Sequence, residues 1–261
     1  MNRVGRKSLI VPGRVLVRKS RSLLDRPLSW FEVRESETPF RAPLTYSERV
    51  VFRELSHLLE GADLVVHDIG AASGVYTSMF AKVASVGAVY AFEPVPSAYD
   101  ALVRRVGRFQ HVQCVNVAIG DGDGRHTLYE YSFSDASSLL RMEKRQVQLL
   151  PSSTNVVERQ IDVRRLDDLI ESGTARPPDL IKVDVQGYEG HVLKGAQSAL
   201  EHARYCVIEM SFVPMYEGSW LFRDAYTYLV ERGYEMIGVA GPVVNPLGRA
   251  LQIDGVFRRS E

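Results

Sequence analysis

"VVHDIGAASGVYT" (residues 65–77) carries an apolar run ending in Asp68 into a segment of helical character, through a turn punctuated by Gly70 and Gly74. Strand, tight turn and helix in that order bring backbone close to a nucleotide-like ligand. Working outward, strand patterns over 64–69, 87–92, 111–119, 179–185 and 204–210 alternate with helix patterns over 74–85, 96–108, 188–201 and 220–232. Such alternation predicts an α/β fold whose parallel sheet is covered by helices on both faces. Residues 45–61 predict a further helix, with Thr45 and Glu48 as a capping box and Gly61 as its stop. Between 120 and 170 the rhythm changes to extra strands and a short helix. The end of the chain, "YEMIGVAGPVV" and "RALQIDGVF", predicts a terminal antiparallel hairpin.

The 261 residues fit one large α/β domain with an appended arm, and 45% hydrophobic with 25% charged residues is ordinary globular composition. A net charge of zero hides an asymmetry. Residues 1–24 hold seven basic side chains and no acid, leaving 25 basic against 32 acidic residues in the remainder. The organisation expected is a basic N-terminal arm over 1–44, interrupted by four prolines, and an α/β domain over 45–261. A solvated terminus accounts for the arm, and so does peripheral contact with an anionic membrane. Cys114 and Cys206 lie in apolar strand-like runs; two thiols make no disulfide framework and suit a reducing, cytoplasmic setting. No run reaches the roughly 18 apolar residues of a membrane helix, and Pro12, Gly13 and Arg14 interrupt the N-terminal apolar stretch as a signal core.

The glycine spacing excludes the commonest phosphate cradles. A dinucleotide fingerprint needs a second glycine where Ala72 stands, and no Gly-Lys-Ser/Thr loop follows. Glu93, however, closes the second strand 23 residues after Gly70, the distance at which a carboxylate meets ribose hydroxyls. A ribose acceptor without a pyrophosphate cradle favours a nucleoside lacking phosphates, with S-adenosylmethionine the foremost candidate. An ordinary strand-to-helix turn is the plain alternative for the glycines alone.

The motifs "DIGAASGVYT", "AFEPVP", "VNVAIGD", "RRLDDLI", "IKVDVQGYEGHVLKGA" and "IEM", in this order from about residue 62, resemble the FkbM family of S-adenosylmethionine-dependent methyltransferases. The resemblance implies a Rossmann-like seven-stranded sheet, mostly parallel with an antiparallel terminal hairpin, and O-methylation of sugars, glycolipids or glycosylated natural products. It further implies that Asp68, Gly70, Ala71, Gly74 and Tyr76 line the methionine part of the cofactor. Glu93 and Pro94 would then serve the ribose, with Asn116, Val117 and Ala118 beside the adenine. Ala72 and Gln186 depart from the commoner Asn and Glu of the family.

Methyl transfer to a hydroxyl requires alignment and removal of a proton. Alternation puts Lys182 and Asp184 on one face of a strand, and Gly187 permits a sharp turn into the next helix. Asp184 is therefore expected to border the transfer site and Glu189 to orient or deprotonate the acceptor hydroxyl; a turn anchor and a helix N-terminal charge are the plain alternatives. His191 and Glu209 are weaker candidates. "GDGDGRH" at 120–126 has Arg125 at a required calcium-ligand position, so it reads as a turn, and no metal is expected. Aromatic residues 212, 216, 220 and 222 and Ser137 and Ser138 suit a sugar pocket, or simply packing and capping. The partner expected is a small-molecule or lipid-linked sugar. An RNA substrate is disfavoured by the acidic body and by the lack of aromatics among basic residues. A dehydrogenase is disfavoured by the absent Tyr-x-x-x-Lys pair, and a scaffold protein that has lost catalysis fits Ala72 and Gln186.

Overall fold

The computed structural model describes residues 59, 61, 63–131, 137–143, 156–244 and 248–260. The basic arm and nearly all of the helix expected over 45–61 lie outside them. The described chain runs β1 (Leu64–Ile69), α1 (Val75–Phe80), β2 (Val86–Phe92), α2 (Pro96–Val106), β3 (Val112–Val115), β4 (Ala118–Ile119), β5 (Gly124–Tyr131), β6 (Val156–Arg164) and α3 (Leu166–Glu171). It continues through β7 (Leu180–Val183), α4 (Glu189–Lys194), α5 (Gln197–His202), β8 (Tyr205–Ser211), α6 (Phe222–Val230), β9 (Tyr234–Val244) and β10 (Ala250–Arg259).

Seven strands form the main sheet in the order β3-β2-β1-β7-β8-β10-β9. The first five are parallel, and β10 runs antiparallel to both its neighbours. The chain steps outward from β1 to β3 on one side and resumes at β7 on the other. The crevice where strand order reverses therefore opens beyond the carboxyl ends of β1 and β7. β1 is buried at every position, as a central strand covered on both faces must be. Its odd residues Val65 and Ile69 pack with Ile181, Val183, Ile208, Leu193 and Leu229; its even residues Leu64 and Val66 pack with Phe80, Val89, Leu180 and Val207. His67, on the first of these faces, sits edge-on to Tyr90 and Phe92 with Nε2 bonded to the Arg176 carbonyl. Burial lowers its pKa to about 4, so it is neutral at physiological pH.

Three expected elements are corrected. The strand over 111–119 is two strands: β3 pairs with β2, and after Asn116 and Val117 the chain enters β4, which belongs to a second sheet ordered β4-β6-β5. The helix over 74–85 ends at Phe80, and the Val86 amide bonds to the Val83 carbonyl as the chain turns back into β2. The helix over 188–201 is two helices. Gly195 packs so closely on Gly120 that a Cβ would stand 1.8 Å from the Gly120 carbonyl oxygen. From α3, the buried Asp167 carboxylate accepts the Ser198 and Ala199 amides at 3.2 and 3.0 Å, capping α5 from outside its own sequence. The extra strands and short helix of the 120–170 region and the terminal hairpin are present as expected.

The Asp167 cap gives a test of stability. Asp167→Ala leaves two amides at the start of α5 without their acceptor, at an expected cost of about 2 kcal/mol. Urea unfolding should show the midpoint falling with an unchanged slope.

Candidate functional site

The turn after β1 is shaped by its neighbours in the protein. Gly70 has φ 79°, and a Cβ there would lie 1.9 Å from the Asp184 carbonyl oxygen. Gly74 has φ 80°, and its Cβ would meet Leu102 Cδ1 of α2 at 2.6 Å. Both glycines thus answer a left-handed backbone and a close approach between segments. Ala72, exposed between them, also has φ 46°. Its amide nevertheless does the work of the turn, donating to Glu93 Oε2 at 2.8 Å. A left-handed conformation is strained for alanine and tolerated by asparagine, so Ala72→Asn should raise stability by about 0.5–1 kcal/mol. A thermal melt of the variant at or below the parent's would contradict this.

Glu93, buried at the end of β2, takes the Ala72 amide on one oxygen and the Val95 amide on the other at 2.8 Å. Burial raises its pKa to about 7, against the pull of these two amides. The Asn116 side-chain amide donates to the Glu93 and Pro94 carbonyls at 2.7 and 3.2 Å, fastening the end of β3 to that of β2. Asp68, Gly70, Ala71, Gly74, Tyr76, Glu93, Pro94, Asn116, Val117 and Ala118 all therefore gather around the carboxyl ends of β1, β2 and β3.

Strand register extends the site across the sheet. Asp68 lies opposite Lys182 between β1 and β7, Lys182 opposite Val207 between β7 and β8, and Glu209 opposite Asp254 between β8 and β10. Since side chains two residues apart share a face, Asp68, Lys182, Asp184, Glu209 and Asp254 form one row over four strands. Lys182 is its single cation, with Nζ 3.2 Å from Asp184 Oδ2 and 3.8 Å from Asp68 Oδ1. Nζ also lies 4.5 Å above the centre of the Tyr76 ring. Burial alone would depress the Lys182 pKa, but Asp184 and Asp68 hold it above its ordinary value. Asp68 accepts the Thr77 hydroxyl at 2.6 Å on Oδ2, while Oδ1 is buried with no hydrogen-bond partner. Burial raises the Asp68 pKa against the effects of Lys182 and Thr77.

The loop after β7 crosses this row. Gln186, in the left-handed region at φ 58°, donates from Nε2 to Asp184 Oδ1 at 3.0 Å and to Glu209 Oε2 at 3.2 Å. Its Oε1 accepts the Tyr216 hydroxyl, and its backbone carbonyl accepts the Ser138 hydroxyl at 2.6 Å. Glu189, at the start of α4, folds back so that Oε1 accepts the Val185 and Gly187 amides at 3.2 and 3.1 Å. Burial raises its pKa to about 7. Burial, then Asp184 and Glu189, raise that of Glu209 well above the ordinary carboxylate range, and burial brings Asp254 to about 7.

Of the weaker candidates, His191 takes a structural role. His191 stacks on Tyr188 and bonds Asp121, and Asp123 holds Arg164 and the Arg165 amide, so the "GDGDG" stretch is a tied turn. Among the described residues no group of His, Cys, Asp or Glu is arranged to hold a metal ion. Ser138 is buried and spent on Gln186 and the Leu140 amide. Tyr216 packs on Gly187 and Trp220 on Gly190, closely enough that a Cβ at either glycine would clash; Phe212 and Phe222 stack on each other at 5.1 Å. Both cysteines are free thiols, and no described helix is long and apolar enough to cross a membrane. Sequence reasoning missed Thr77 and Asp254. A lone acid between Ile253 and Gly255 in an apolar strand was the available signal for the latter.

A model of the methyltransferase FkbM domain matches residues 68–236. The 2-O-methyltransferase NoeI of Sinorhizobium fredii is 29% identical over 192 residues, covering 71% of this chain and 78% of its own. The hexuronic acid methyltransferase AglP of Haloferax volcanii is 27% identical over 182 residues, covering 69% of each. The crystal structure of methyltransferase FkbM from Methylobacillus flagellatus superposes with a TM-score of 0.50 at 21% identity, over 78% of this chain and 45% of that one. At that identity the likeness concerns the fold.

Proposed function

Because the chain belongs to the methyltransferase FkbM domain family, we propose that it is an S-adenosylmethionine-dependent O-methyltransferase acting on a hydroxyl of a sugar, free or carried on a lipid or natural product. The observation that carries the cofactor reading is Glu93, presented beside Asp68 with one amide on each oxygen and a lone pair to spare on each. The unbonded, buried oxygen of Asp68 suits the ammonium of the cofactor's amino-acid portion. In this reading Glu93 accepts from the ribose hydroxyls and the 116–118 segment flanks the base. S-adenosylmethionine, when bound, supplies a methyl group already activated on a sulfonium.

The chain's own residues then have two tasks, alignment and proton removal. Asp184, with its side chain 32% exposed at the mouth of the row, borders the acceptor hydroxyl. Glu189 orients rather than reacts: its carboxylate fixes the loop on which Gln186 and Gly187 sit. The sugar class rests on the names of NoeI and AglP, one a 2-O-methyltransferase and the other a hexuronic acid methyltransferase.

Calorimetric titration with S-adenosylmethionine and with NAD tests the cofactor. Binding of the first alone is expected, and binding of NAD alone would overturn the reading. Transfer of labelled methyl to a panel of methyl glycosides of hexoses, deoxyhexoses and hexuronic acids, with RNA as a control, tests the acceptor. Label in the RNA and in none of the glycosides would overturn the sugar assignment.

A further inference from the structure

Resting on the methyltransferase reading above, we propose that Glu209 is the group that takes the proton from the acceptor hydroxyl, and that Gln186 is the positioning residue that holds Glu209 beside Asp184.

The carboxylates nearest the Gln186 bridge can be judged by what already occupies their oxygens; Asp254 stands a strand further from Asp184, on β10. Asp184 has one oxygen against the Lys182 ammonium at 3.2 Å and the other against the Gln186 amide at 3.0 Å. Glu189 is buried and turned back on two loop amides. Asp68 is fully buried beneath Lys182 and Thr77. Glu209 differs: it is partly exposed, has no ion pair among the described residues, and uses only Oε2, in its bond with the Gln186 amide. Its other oxygen is left for a ligand. The strand register sets it in the same row as Asp184, one strand over, where the hydroxyl proposed to lie against Asp184 would also face it.

Gln186 is built for the positioning task. A single amide nitrogen spans both carboxylates, its carbonyl oxygen is pinned by the Tyr216 hydroxyl, and its backbone is pinned by Ser138 and held in a left-handed conformation. A glutamate here would lack the N–H donors that bridge the two acids. The groups facing Glu209 are Lys182 on β7, Asp184 just past its end, Glu189 on α4, Asp254 on β10 and Tyr216 from the segment after β8. Burial first, and then carboxylates that outnumber the one ammonium, make Glu209 hold a proton more tightly than a free glutamate. In the transfer step the hydroxyl oxygen forms the new bond to the methyl carbon. The carbon–sulfur bond breaks with its electron pair left on sulfur, and the hydroxyl proton passes to Glu209.

The experiment compares the parent with E209Q, Q186L and Q186E. Carbon-13 NMR of protein labelled at the glutamate carboxyls needs neither cofactor nor acceptor. One signal titrating above the ordinary glutamate range should vanish in E209Q. In Q186L it should move by at least half a pH unit, and in Q186E it should move upward. On a glycoside selected by the panel above, E209Q should lose at least 100-fold in kcat with KM changed less than threefold. Q186L should shift the acid limb of the kcat profile, which a merely structural loss would leave in place. S-adenosylmethionine affinity should stay within threefold in all variants. A Glu209 signal in the ordinary range, or one unmoved by Q186L, overturns the proposal with or without turnover. So does full kcat in E209Q. Failure of every protein, parent included, to bind S-adenosylmethionine would instead strike the methyltransferase reading of the site, and the carboxyl titration would still decide the Gln186–Glu209 link.

Discussion

Alanine at Gly70 is expected to destabilise the protein by about 3 kcal/mol or more and to disable the site at the same time. The left-handed backbone at φ 79° contributes about 1–2 kcal/mol of that for a residue bearing a Cβ. The rest comes from overlap: the new carbon would stand 1.9 Å from the Asp184 carbonyl oxygen, and overpacking against backbone typically costs about 1–3 kcal/mol. Relief requires the turn after β1 or the loop after β7 to retreat. The first carries the proposed cofactor contacts, and the second positions Asp184. For a folded unit of about 150–250 residues a loss of 3 kcal/mol lowers the melting temperature by about 6–12 °C. Differential scanning calorimetry checks the size. A melt within 2 °C of the parent would mean that the two segments are not in contact in solution.

Glu93→Ala should weaken S-adenosylmethionine binding by about 100-fold. Two charge-assisted hydrogen bonds to ribose would be lost, each worth about 1.5 kcal/mol or more. The Ala72 and Val95 amides would also lose their acceptor, loosening the turn that faces the ligand. Glu93→Gln separates the two effects. It keeps one oxygen acceptor at similar volume, so its affinity should fall between parent and alanine variant. The Glu93 pKa of about 7, raised chiefly by burial, adds a pH signature. Accepting two hydroxyls at once favours the ionised carboxylate, so affinity should rise as pH increases through about 7 in the parent and be flat in Glu93→Gln. Calorimetry at pH 6 and 8 measures both. Unchanged affinity in Glu93→Ala would take the ribose away from this residue.

The sheet was readable because β1, β7 and β8 are nearly continuous apolar runs and the helices between them have their own period. What the sequence concealed was mostly long-range. Nothing local to residues 188–201 announces that Asp167, some thirty residues upstream, will cap a second helix and so divide the segment. Nothing near Asp254 says that antiparallel pairing will seat it opposite Glu209. The site was legible in its membership and less so in its reasons. Gly70 and Gly74 drew attention as the mark of a ligand turn, yet their contacts with Asp184 and Leu102 explain both without a ligand. Ala72 stands out in the sequence as a departure from the family's commoner Asn, whereas the contribution of that residue comes from its backbone amide, which alanine supplies as well as any other non-proline residue. Gln186 registered only as a departure from a pattern; its bridge between two carboxylates depends on a left-handed backbone that the sequence does not disclose.

The small sheet is attached in a way that bears on how such a protein diversifies. The chain enters it at Ala118 and leaves it at Arg164, and these ends are neighbours: β4 and β6 pair in parallel, Ile119 opposite Arg164, with the Gly120 amide bonded to the Arg164 carbonyl at 3.0 Å. A segment whose ends already touch can be lengthened, shortened or exchanged with little loop-closure penalty, provided that its ties to the main body, Ser138 to Gln186 and Asp121 to His191, are kept. Residues 120–163 therefore constitute a cassette. Evolution could recast that module, or an engineer could swap it between homologues, while the half of the molecule carrying Asp68 and Glu93 is inherited unaltered.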